Sequence, residues 1–374
     1  MTLTEILAKL DEPFRKYILK ISPKYSVFFY SYVRKPFLKI LAGEHIDERQ
    51  IIPDHHGKTL WGIDFNSPIF NAAGMFKTGE GYEMVARQGA GAFLAGTTTK
   101  SARKGNMKNG ILHPFIPLPK SGVAINWMGL PNPGHSKVAK ILSRIEKIRG
   151  CPVGASIAAD PDASEDERAE GLITGLMQYE KAGIDFIELN ESCPNVEAHK
   201  NSGDTGMDVM DRLEIISNEF LKKRRRYFPV IVKFSLDMHR KDLPAILDAL
   251  ADMGFDGVNT GNTSTSYREI VDEIDKDEKE VFEYFTGKFG GGVSGNALKE
   301  RSLELAAAAA EYINSKDLKR EFHVIRTGGV ESFSDVNIST KKGISLCQWF
   351  TGYFDDFAKH GHRLYTEMFK NEEE

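Results

Sequence analysis

The chain has 374 residues, of which 41% are hydrophobic and 27% are charged, a composition that excludes disordered, collagen-like and low-complexity proteins. Its length fits one large α/β barrel with extra segments, or two ordinary domains. The net charge of −4 provides no overall field to attract nucleic acid, and three cysteines, an odd and sparse set, indicate a reducing compartment rather than a disulfide framework.

The first fifty residues differ in charge from the rest of the chain. They hold nine basic and six acidic side chains, a balance of +3 that leaves −7 for the remainder. No apolar run approaches the ~18 residues needed to span a bilayer, and no signal-peptide pattern is visible. Two interpretations stay open: a helix pair lying on an anionic membrane surface, or a helical cap with a solvated basic face.

Two helices are predicted in this basic segment. Apolar residues recur at helical spacing from Leu3 to Ile21, and Ser22-Pro23 ends the pattern. A second helix is predicted from about Ser26 to Ile40, with a kink or break at Pro36. Residues 57–67 then predict a short β-hairpin. We therefore expect an N-terminal helical appendage over residues 1–45 and a single domain over residues 46–374.

From residue 68 onward, short apolar strands alternate with longer helical patterns. The strands are predicted at 68–72, 92–96, 153–158, 185–190, 229–234, 256–260, 323–327 and 345–350. The helices are predicted near 79–88, 136–148, 164–182, 207–224, 240–253, 297–314, 333–342 and 355–370. Eight such units indicate a (β/α)8 TIM barrel. A doubly wound sheet, the main alternative, usually has fewer strands and a G-x-G-x-x-G turn after its first strand. No convincing turn of that kind follows the first predicted strand, 68–72, in this chain.

Polar and glycine residues concentrate where the predicted strands end. The long connections 97–135 and 261–296 also follow strands, and such loops are usually functional. Because the carboxyl ends of barrel strands share one face, we expect one convergent polar ring there. Its members are Asn71 to Gly74 with Lys77, Gly96 to Thr99, Ser156, Asn190 to Asn195, Lys233, Gly261 to Ser264, Thr327 to Gly329, and Phe350 to Gly352.

The ring is rich in glycine, whose bare backbone lets N–H groups approach phosphate oxygens closely. Gly328-Gly329 and Thr351-Gly352 close strands seven and eight, the usual barrel position for a phosphate. Residues 290–295, GGGVSG, add a third glycine-rich loop. Tight turns into helices would explain each loop singly. Together the loops favour a phosphorylated cofactor or substrate.

Two reactive side chains need an explanation. Lys233 is flanked by apolar residues within a strand, so it either stabilises an anion in the barrel mouth or forms a core ion pair. Cys193 follows a strand and could act as a base or nucleophile if the pKa of its thiol is lowered, or be an inert small hydrophobe. Cys151 and Cys347 fit the inert description better. No metal-ligand spacing occurs, so we expect no metal site.

Nine motifs carry a resemblance to a known family. AAGxxxK, GTxT, INxMGLPN, NESCPN, VKF, GNT, GGVSG, RTGGV and FTG occur in the order and spacing seen in dihydroorotate dehydrogenases, over about residues 45–370. The resemblance implies an FMN-containing barrel that oxidises dihydroorotate to orotate in pyrimidine biosynthesis. The alternatives are another FMN-dependent dihydropyrimidine or dihydrouridine oxidoreductase, and a nucleotide-binding barrel without catalysis. The net negative charge of the barrel argues against a tRNA substrate, and so against a dihydrouridine oxidoreductase. The presence of Cys193, Lys77 and Lys233 argues against a barrel that has lost its catalytic activity.

The resemblance also implies roles for individual residues. Cys193 stands where the family places the base that takes the C5 proton, while FMN takes the C6 hydride. Lys77 would pair with the orotate carboxylate, and Lys233 would stabilise negative charge on the reduced flavin. The implied FMN site comprises Ala73, Gly74, Thr97, Ser156, Asn190, Lys233, Gly291, Gly292, Gly328, Gly329, Phe350, Thr351 and Gly352. The implied substrate site comprises Lys77, Asn126, Met128, Gly129, Leu130, Asn190, Asn195, Asn262 and Thr263.

The motifs combine features of two classes within this family. The N-terminal extension and Lys77 resemble class 2 members, which are membrane-bound and reduce quinone. Cys193 and Leu130 resemble class 1 members, and Ser156 stands where class 2 members tend to offer Asn. Because the appendage is the part that a quinone route needs, we expect quinone as the acceptor, with fumarate or NAD as alternatives. We accordingly expect a peripheral membrane enzyme on the cytoplasmic side, with a soluble cytoplasmic enzyme as the alternative.

Overall fold

The computed structural model describes residues 1–191 and 206–370. Its helices are α1 Leu3–Ile21, α2 Pro23–Ala42, α3 Tyr82–Arg87, α4 His135–Leu142, α5 Glu165–Ala182, α6 Gly206–Ile216, α7 Leu243–Met253, α8 Tyr267–Ile270, α9 Lys279–Lys288, α10 Lys299–Asn314, α11 Phe333–Lys341, α12 Thr351–His360 and α13 Leu364–Lys370. Its strands are β1 Lys58–Leu60, β2 Ile63–Phe65, β3 Ile69–Asn71, β4 Phe93–Thr98, β5 Met107–Lys108, β6 Ile111–Leu112, β7 Phe115–Leu118, β8 Val123–Asn126, β9 Val153–Ile157, β10 Phe186–Asn190, β11 Val230–Phe234, β12 Gly257–Thr260, β13 Gly292–Gly295, β14 His323–Thr327 and β15 Leu346–Trp349.

Eight parallel strands form the predicted barrel. They follow the order β3-β15-β14-β12-β11-β10-β9-β4, and helices pack around the outside. Nearly every barrel-strand residue is buried, because one face meets the barrel interior and the other meets the helices. All eight predicted strands are present at the expected places, so the prediction of a (β/α)8 barrel is confirmed.

The side chain of Asn71 helps to close the barrel between its first and last strands in the sheet order. Its Nδ2 donates to the carbonyl oxygen of Leu94 at 2.8 Å, and its Oδ1 accepts from the Leu94 backbone N–H at 3.2 Å. The Gly74 N–H also donates to the carbonyl of Gly96 at 2.8 Å. The side-chain amide of Asn71 thus replaces a backbone-to-backbone hydrogen-bond pair between the two strands. It satisfies the N–H and the carbonyl of Leu94, which would otherwise be left unpaired.

The two long connections meet in a small antiparallel sheet, β13-β8-β7, over the barrel mouth. Gly292 of β13 pairs with Asn126 of β8, and Phe115 of β7 pairs with the same residue from the other side. The sequence predicted long functional loops here without their strands. This sheet fixes where the side chains of the two loops lie.

Helices α1 and α2 form an antiparallel pair against the barrel. Ser22 ends α1 and caps α2 by accepting from the Tyr25 N–H, and Pro23 occupies the first helical turn, where its missing N–H costs nothing. The Ser26 hydroxyl donates to the carbonyl of Ile18 at 2.8 Å. Helix α2 runs from Pro23 to Ala42 without the break expected at Pro36. No helix among residues 1–191 and 206–370 has the length and apolar character required to cross a membrane.

Candidate active site

A polar cleft lies at the carboxyl ends of the barrel strands, enclosing about 1050 Å³ of space that includes its open mouth. Strands β3, β4, β10, β11, β12, β14 and β15, or the turns that follow them, all contribute to its walls, together with both long connections. It gathers sixteen of the predicted site residues: Ala73, Gly74, Lys77, Thr97, Asn126, Met128, Leu130, Asn190, Lys233, Asn262, Thr263, Gly328, Gly329, Phe350, Thr351 and Gly352.

Four predicted residues lie next to the cleft without lining it. The Ser156 hydroxyl is buried behind Thr97, with 3.0 Å between their side-chain oxygens. Gly129 lies between the lining residues Met128 and Leu130. Gly291 and Gly292 pack against the strand that carries Asn126, so close that a Cβ on Gly291 would stand 2.2 Å from the Asn126 carbonyl oxygen. Cys193 and Asn195 lie outside the described residues.

Lys233 projects from β11 into the floor of the cleft, where it is 3% exposed. Its Nζ donates to Oε1 of Gln348 at 3.0 Å and lies 3.4 Å from Oε1 of Glu188, itself buried on β10. Burial lowers the pKa of Lys233 below its ordinary value, and the Glu188 carboxylate opposes that shift. Lys233 is therefore both ion-paired and presented to the cleft, so the two interpretations of this residue are compatible.

Glu188 is the centre of a buried polar network that sequence reasoning missed. Its Oε2 accepts from Nδ2 of Asn259 and from Nε2 of Gln348, both at 2.8 Å. The Thr327 hydroxyl donates to Oδ1 of Asn259 at 2.9 Å. Such networks are rigid when every member is satisfied. The sequence did hold a signal for Glu188, because it is a charged residue within the largely apolar strand 185–190. The same kind of signal identified Lys233.

A second row of polar side chains crosses the cleft at the strand ends. Asn262 Nδ2 donates to Asn190 Oδ1 at 3.4 Å, and Asn190 Nδ2 donates to Thr97 Oγ1 at 3.2 Å. The Thr263 hydroxyl beside them is buried, and none of residues 1–191 and 206–370 gives it a hydrogen-bond partner. A buried hydroxyl without a partner is costly. It fits a site where a bound molecule supplies the missing acceptor.

The backbone around Gly328 and Gly329 has the shape of an anion site. Gly329 has φ +63°, and a Cβ there would stand 2.4 Å from Cα of Lys299. Helix α12 begins at Thr351 on the same wall, so the first-turn N–H groups of α12 face this region. The Ser294 hydroxyl lies 3.0 Å from Thr351 Oγ1 and joins the third glycine-rich loop to it. Crowding and positive φ leave room only for glycine at position 329.

Lys77 brings a second cation to the cleft, in the turn after β3. The Lys77 N–H donates to Oε1 of Glu80 at 2.9 Å, and the Thr78 N–H donates to Oε2 at 2.7 Å, which holds the turn. Its Nζ would lie 4.0 Å from a Cβ built on Gly74. The cleft therefore combines a cation on a loop, a cation on its floor, several amides and a glycine-rich wall.

A larger apolar cavity adjoins the polar cleft and encloses about 1960 Å³ with its open mouth. It lies between the α1–α2 pair and the barrel, and sequence analysis did not predict it. Its walls are mostly aromatic and aliphatic, including Phe29, Phe37 and Phe354. Phe115, Phe350 and Thr351 line both cavities. An apolar molecule bound here would lie next to whatever occupies the polar cleft.

Comparisons with known proteins agree with this architecture. The family model described as dihydroorotate dehydrogenase matches residues 57–368. A protein of Baumannia cicadellinicola subsp. Homalodisca coagulata named dihydroorotate dehydrogenase (quinone) is 28% identical over 337 residues, 88% of this chain and 91% of the relative. One of the same name from Saccharophagus degradans is 27% identical over 297 residues, 79% and 80% of the two chains.

Two solved structures share the fold. The crystal structure of DHODH from Eimeria tenella in complex with ferulenol has a TM-score of 0.73 at 19% identity, covering 91% of this chain and 89% of that one. The ligand-free structure of DHODH from the same organism has a TM-score of 0.71 at 20% identity, with coverage of 92% and 93%. Both matches cover more than nine tenths of this chain.

Proposed function

This chain belongs to the dihydroorotate dehydrogenase family, and we propose that it oxidises dihydroorotate to orotate in pyrimidine biosynthesis and passes the electrons to a quinone. The observation that carries the proposal is the contact between two cavities of opposite character. The polar cleft suits a charged pyrimidine and a phosphorylated cofactor, and the apolar cavity suits a lipid-soluble acceptor. Phe115, Phe350 and Thr351 stand between them.

We propose FMN as the cofactor, because the residues of the cleft fit its parts. The crowded turn at Gly329 and the start of α12 suit its phosphate. The Thr263 hydroxyl, for which the described part of the chain offers no hydrogen-bond partner, and the amide of Asn190 suit polar groups of a ring system. When bound, FMN supplies the acceptor for the hydride that leaves C6 of dihydroorotate.

Substrate recognition is assigned to one cation and a set of amides. Lys77 pairs with the substrate carboxylate, because the ammonium group of a lysine that lines the cleft attracts a carboxylate bound there. Asn126 and Asn262, with Asn195 by the family resemblance, match the donor and acceptor edges of the pyrimidine ring. Met128 and Leu130 cover the ring and exclude water, and Gly129 between them sets the turn.

Removal of the C5 proton of dihydroorotate is assigned to the thiol of Cys193. A thiol titrates closer to neutral pH than a hydroxyl, so it reaches its reactive form more readily. The other thiols are poor candidates. Cys151 and Cys347 are fully buried in the barrel wall, and burial raises the pKa of Cys347 to about 11. The proton therefore passes to Cys193, and Lys233 on the floor of the cleft would stabilise the negative charge of the reduced flavin.

We infer the electron acceptor of the enzyme from the chemical character of the apolar cavity. Its lining is dominated by carbon, and one of its lining residues, Phe350, also lines the polar cleft. A lipid-soluble quinone matches such a cavity better than fumarate or NAD, which are charged. The relatives named dihydroorotate dehydrogenase (quinone) support the same choice.

Residues 1–45 are proposed to be a membrane-docking appendage of the barrel domain, residues 46–374. Large apolar side chains of α1 and α2 are unusually exposed, among them Phe14 at 58%, Tyr17 at 60% and Ile21 at 63%. Lysines 20, 24, 35 and 39 accompany them. Apolar and basic side chains together suit an anionic lipid surface on the cytoplasmic side, from which quinone could enter the cavity.

An acceptor panel tests the proposal. Purified protein receives dihydroorotate with a ubiquinone analogue, a menaquinone analogue, fumarate or NAD, and orotate formation is followed. We expect a yellow protein whose flavin absorbance is bleached by dihydroorotate and restored fastest by a quinone. Restoration only by fumarate or NAD would refute the quinone assignment, and a colourless protein that dihydroorotate leaves unchanged would refute the reaction.

A further inference from the structure

The cation on the floor of the polar cleft has a carboxylate directly behind it. Lys233 is 3% exposed and lines the cleft, whereas Glu188 is 1% exposed and does not line it. Oε1 of Glu188 lies 3.4 Å from Nζ of Lys233. The two opposite charges therefore lie at different depths, and the positive charge is nearer to any molecule bound in the cleft.

Neutral side chains hold this carboxylate in place. Oε2 of Glu188 accepts from Nδ2 of Asn259 and from Nε2 of Gln348, both at 2.8 Å. Oε1 of Gln348 also accepts from Nζ of Lys233, at 3.0 Å, so the same amide connects the carboxylate to the cation. The carboxylate is thus fixed next to the cation by contacts that add no further charge.

Charge beneath the cleft matters because reduction changes the charge of a flavin. A hydride from dihydroorotate carries two electrons and one proton, so a neutral isoalloxazine ring that accepts it becomes an anion. A nearby positive charge favours the anion and raises the reduction potential of the flavin, and a nearby negative charge lowers that potential. Because Lys233 and Glu188 are both buried, water and salt screen their charges only weakly.

With FMN bound as in the proposed function, we propose that Glu188 is a positioning residue that sets the reduction potential of the flavin through Lys233. Its carboxylate offsets part of the attraction of Lys233 for the reduced ring, so the electrons are held less tightly and can pass on to the acceptor. It also keeps Lys233 protonated, because burial lowers the pKa of this lysine and the carboxylate opposes that shift. Glu188 thus divides the driving force between reduction of the flavin and its reoxidation.

Potentiometric titration of the flavin-loaded, full-length protein tests the proposal at pH 6, where a lysine of lowered pKa keeps its proton more fully than at neutral pH. Glu188→Gln should raise the midpoint potential of the flavin by at least about 30 mV, which is a tenfold change in a two-electron equilibrium. Glu188→Asp keeps the charge, and hence an ion pair that supports folding, but draws the carboxylate back from Lys233 by one methylene. It should raise the midpoint potential by less than Glu188→Gln does.

Asp256→Asn is the matched control, because it removes another buried carboxylate from the residue directly before β12, at the end of the barrel away from the cleft. The Asp256 carboxylate accepts from Arg224 and from Arg320, each at 2.9 Å, so this change also breaks an ion pair but should not move the potential. An unchanged or lowered potential in the Glu188 variants that fold, or an equal shift in Asp256→Asn, would overturn the proposal. The titration uses no dihydroorotate, so the expected shifts in a protein that does not oxidise dihydroorotate would refute the proposed reaction alone.

Discussion

Oε1 of Glu188 lies 3.4 Å from Nζ of Lys233, and both side chains are almost completely buried beneath the polar cleft. The carboxylate lets a cation stay at the floor of the cleft in spite of burial. Without it, Lys233 would be an unpaired buried charge. This pair therefore links the stability of the barrel to the electrostatics of the site.

Glu188→Gln should lower the free energy of unfolding by roughly 3–5 kcal/mol at neutral pH, the usual cost of breaking a buried ion pair. Burial lowers the pKa of Lys233, and losing Glu188 lowers that pKa further. The cost is fully present while Lys233 is protonated and falls as pH rises through its folded-state pKa, because the folded protein then loses the proton first. Urea denaturation at pH 7 and pH 9 should show a smaller deficit at pH 9.

The double variant Glu188→Gln/Lys233→Met is the matched control for that prediction. It removes both charges, so it should recover much of the stability that the single variant loses. A double variant as unstable as the single one, or a deficit that does not change with pH, would mean that Lys233 is not stabilised by this carboxylate.

Gly329→Ala should weaken FMN binding at least tenfold. The residue has φ +63°, and a Cβ would stand 2.4 Å from Cα of Lys299, so the turn beside α12 must move. Gly183→Ala is the control, because Gly183 has φ +75° but no atom within 4 Å of the added Cβ. Gly183→Ala should lower the free energy of unfolding by only about 1 kcal/mol through backbone strain, and the variant should still bind the flavin. Fluorescence titration of apoprotein with FMN measures both, and equal weakening would contradict the phosphate assignment.

Cys193→Ala should abolish dihydroorotate oxidation while the flavin absorbance of the purified protein stays normal. Cys193→Ser should keep partial activity with a more alkaline pH dependence, because a serine hydroxyl is much less acidic than a thiol. Steady-state rates between pH 6 and pH 10 test both variants. Near-normal turnover of the alanine variant, or an unchanged profile for serine, would count against Cys193 as the base.

Ile21→Ser/Phe28→Ser should reduce binding to anionic liposomes at least tenfold. Both side chains are exposed, at 63% and 48%, and neither lines the apolar cavity, so the fold and the flavin should be unaffected. Met177→Ser/Ile215→Ser removes similar apolar side chains, exposed at 51% and 42%, from barrel helices α5 and α6. Flotation assays should show normal binding for that control, and a similar loss in both would argue against docking through α1 and α2.

Much of the barrel could be predicted from sequence because its signals are local. Largely apolar strands of five or six residues alternate with helical patterns, and polar and glycine residues concentrate where the strands end. Those strand-end residues converge because parallel strands in a barrel all point their carboxyl ends to one face. Lys233, Asn190 and Thr97 therefore line one cleft, as the sequence predicted.

The apolar cavity could not be predicted in the same way. Its walls come from α1 and α2, from β7 and β8 in the first long connection, and from α12 near the end of the chain. Amphipathic spacing showed that α1 and α2 have an apolar side, but not what that side faces. Helix α2 continues through Pro36 without the break that was one of the two predicted outcomes, because its packing against the barrel outweighs the local preference for a break.

The sequence by itself determined the strand-helix repeat and the identity of the groups at the strand ends, since both depend on neighbours along the chain. Only the tertiary structure decided which of those groups meet. Glu188 pairs with Lys233 because β10 and β11 are hydrogen-bonded in a register that places Asn190 beside Lys233. β8 and β13, far apart in sequence, pair over the cleft, and Arg34 reaches Phe115 from a separate helix. Such contacts follow from packing between distant segments, which no local pattern encodes.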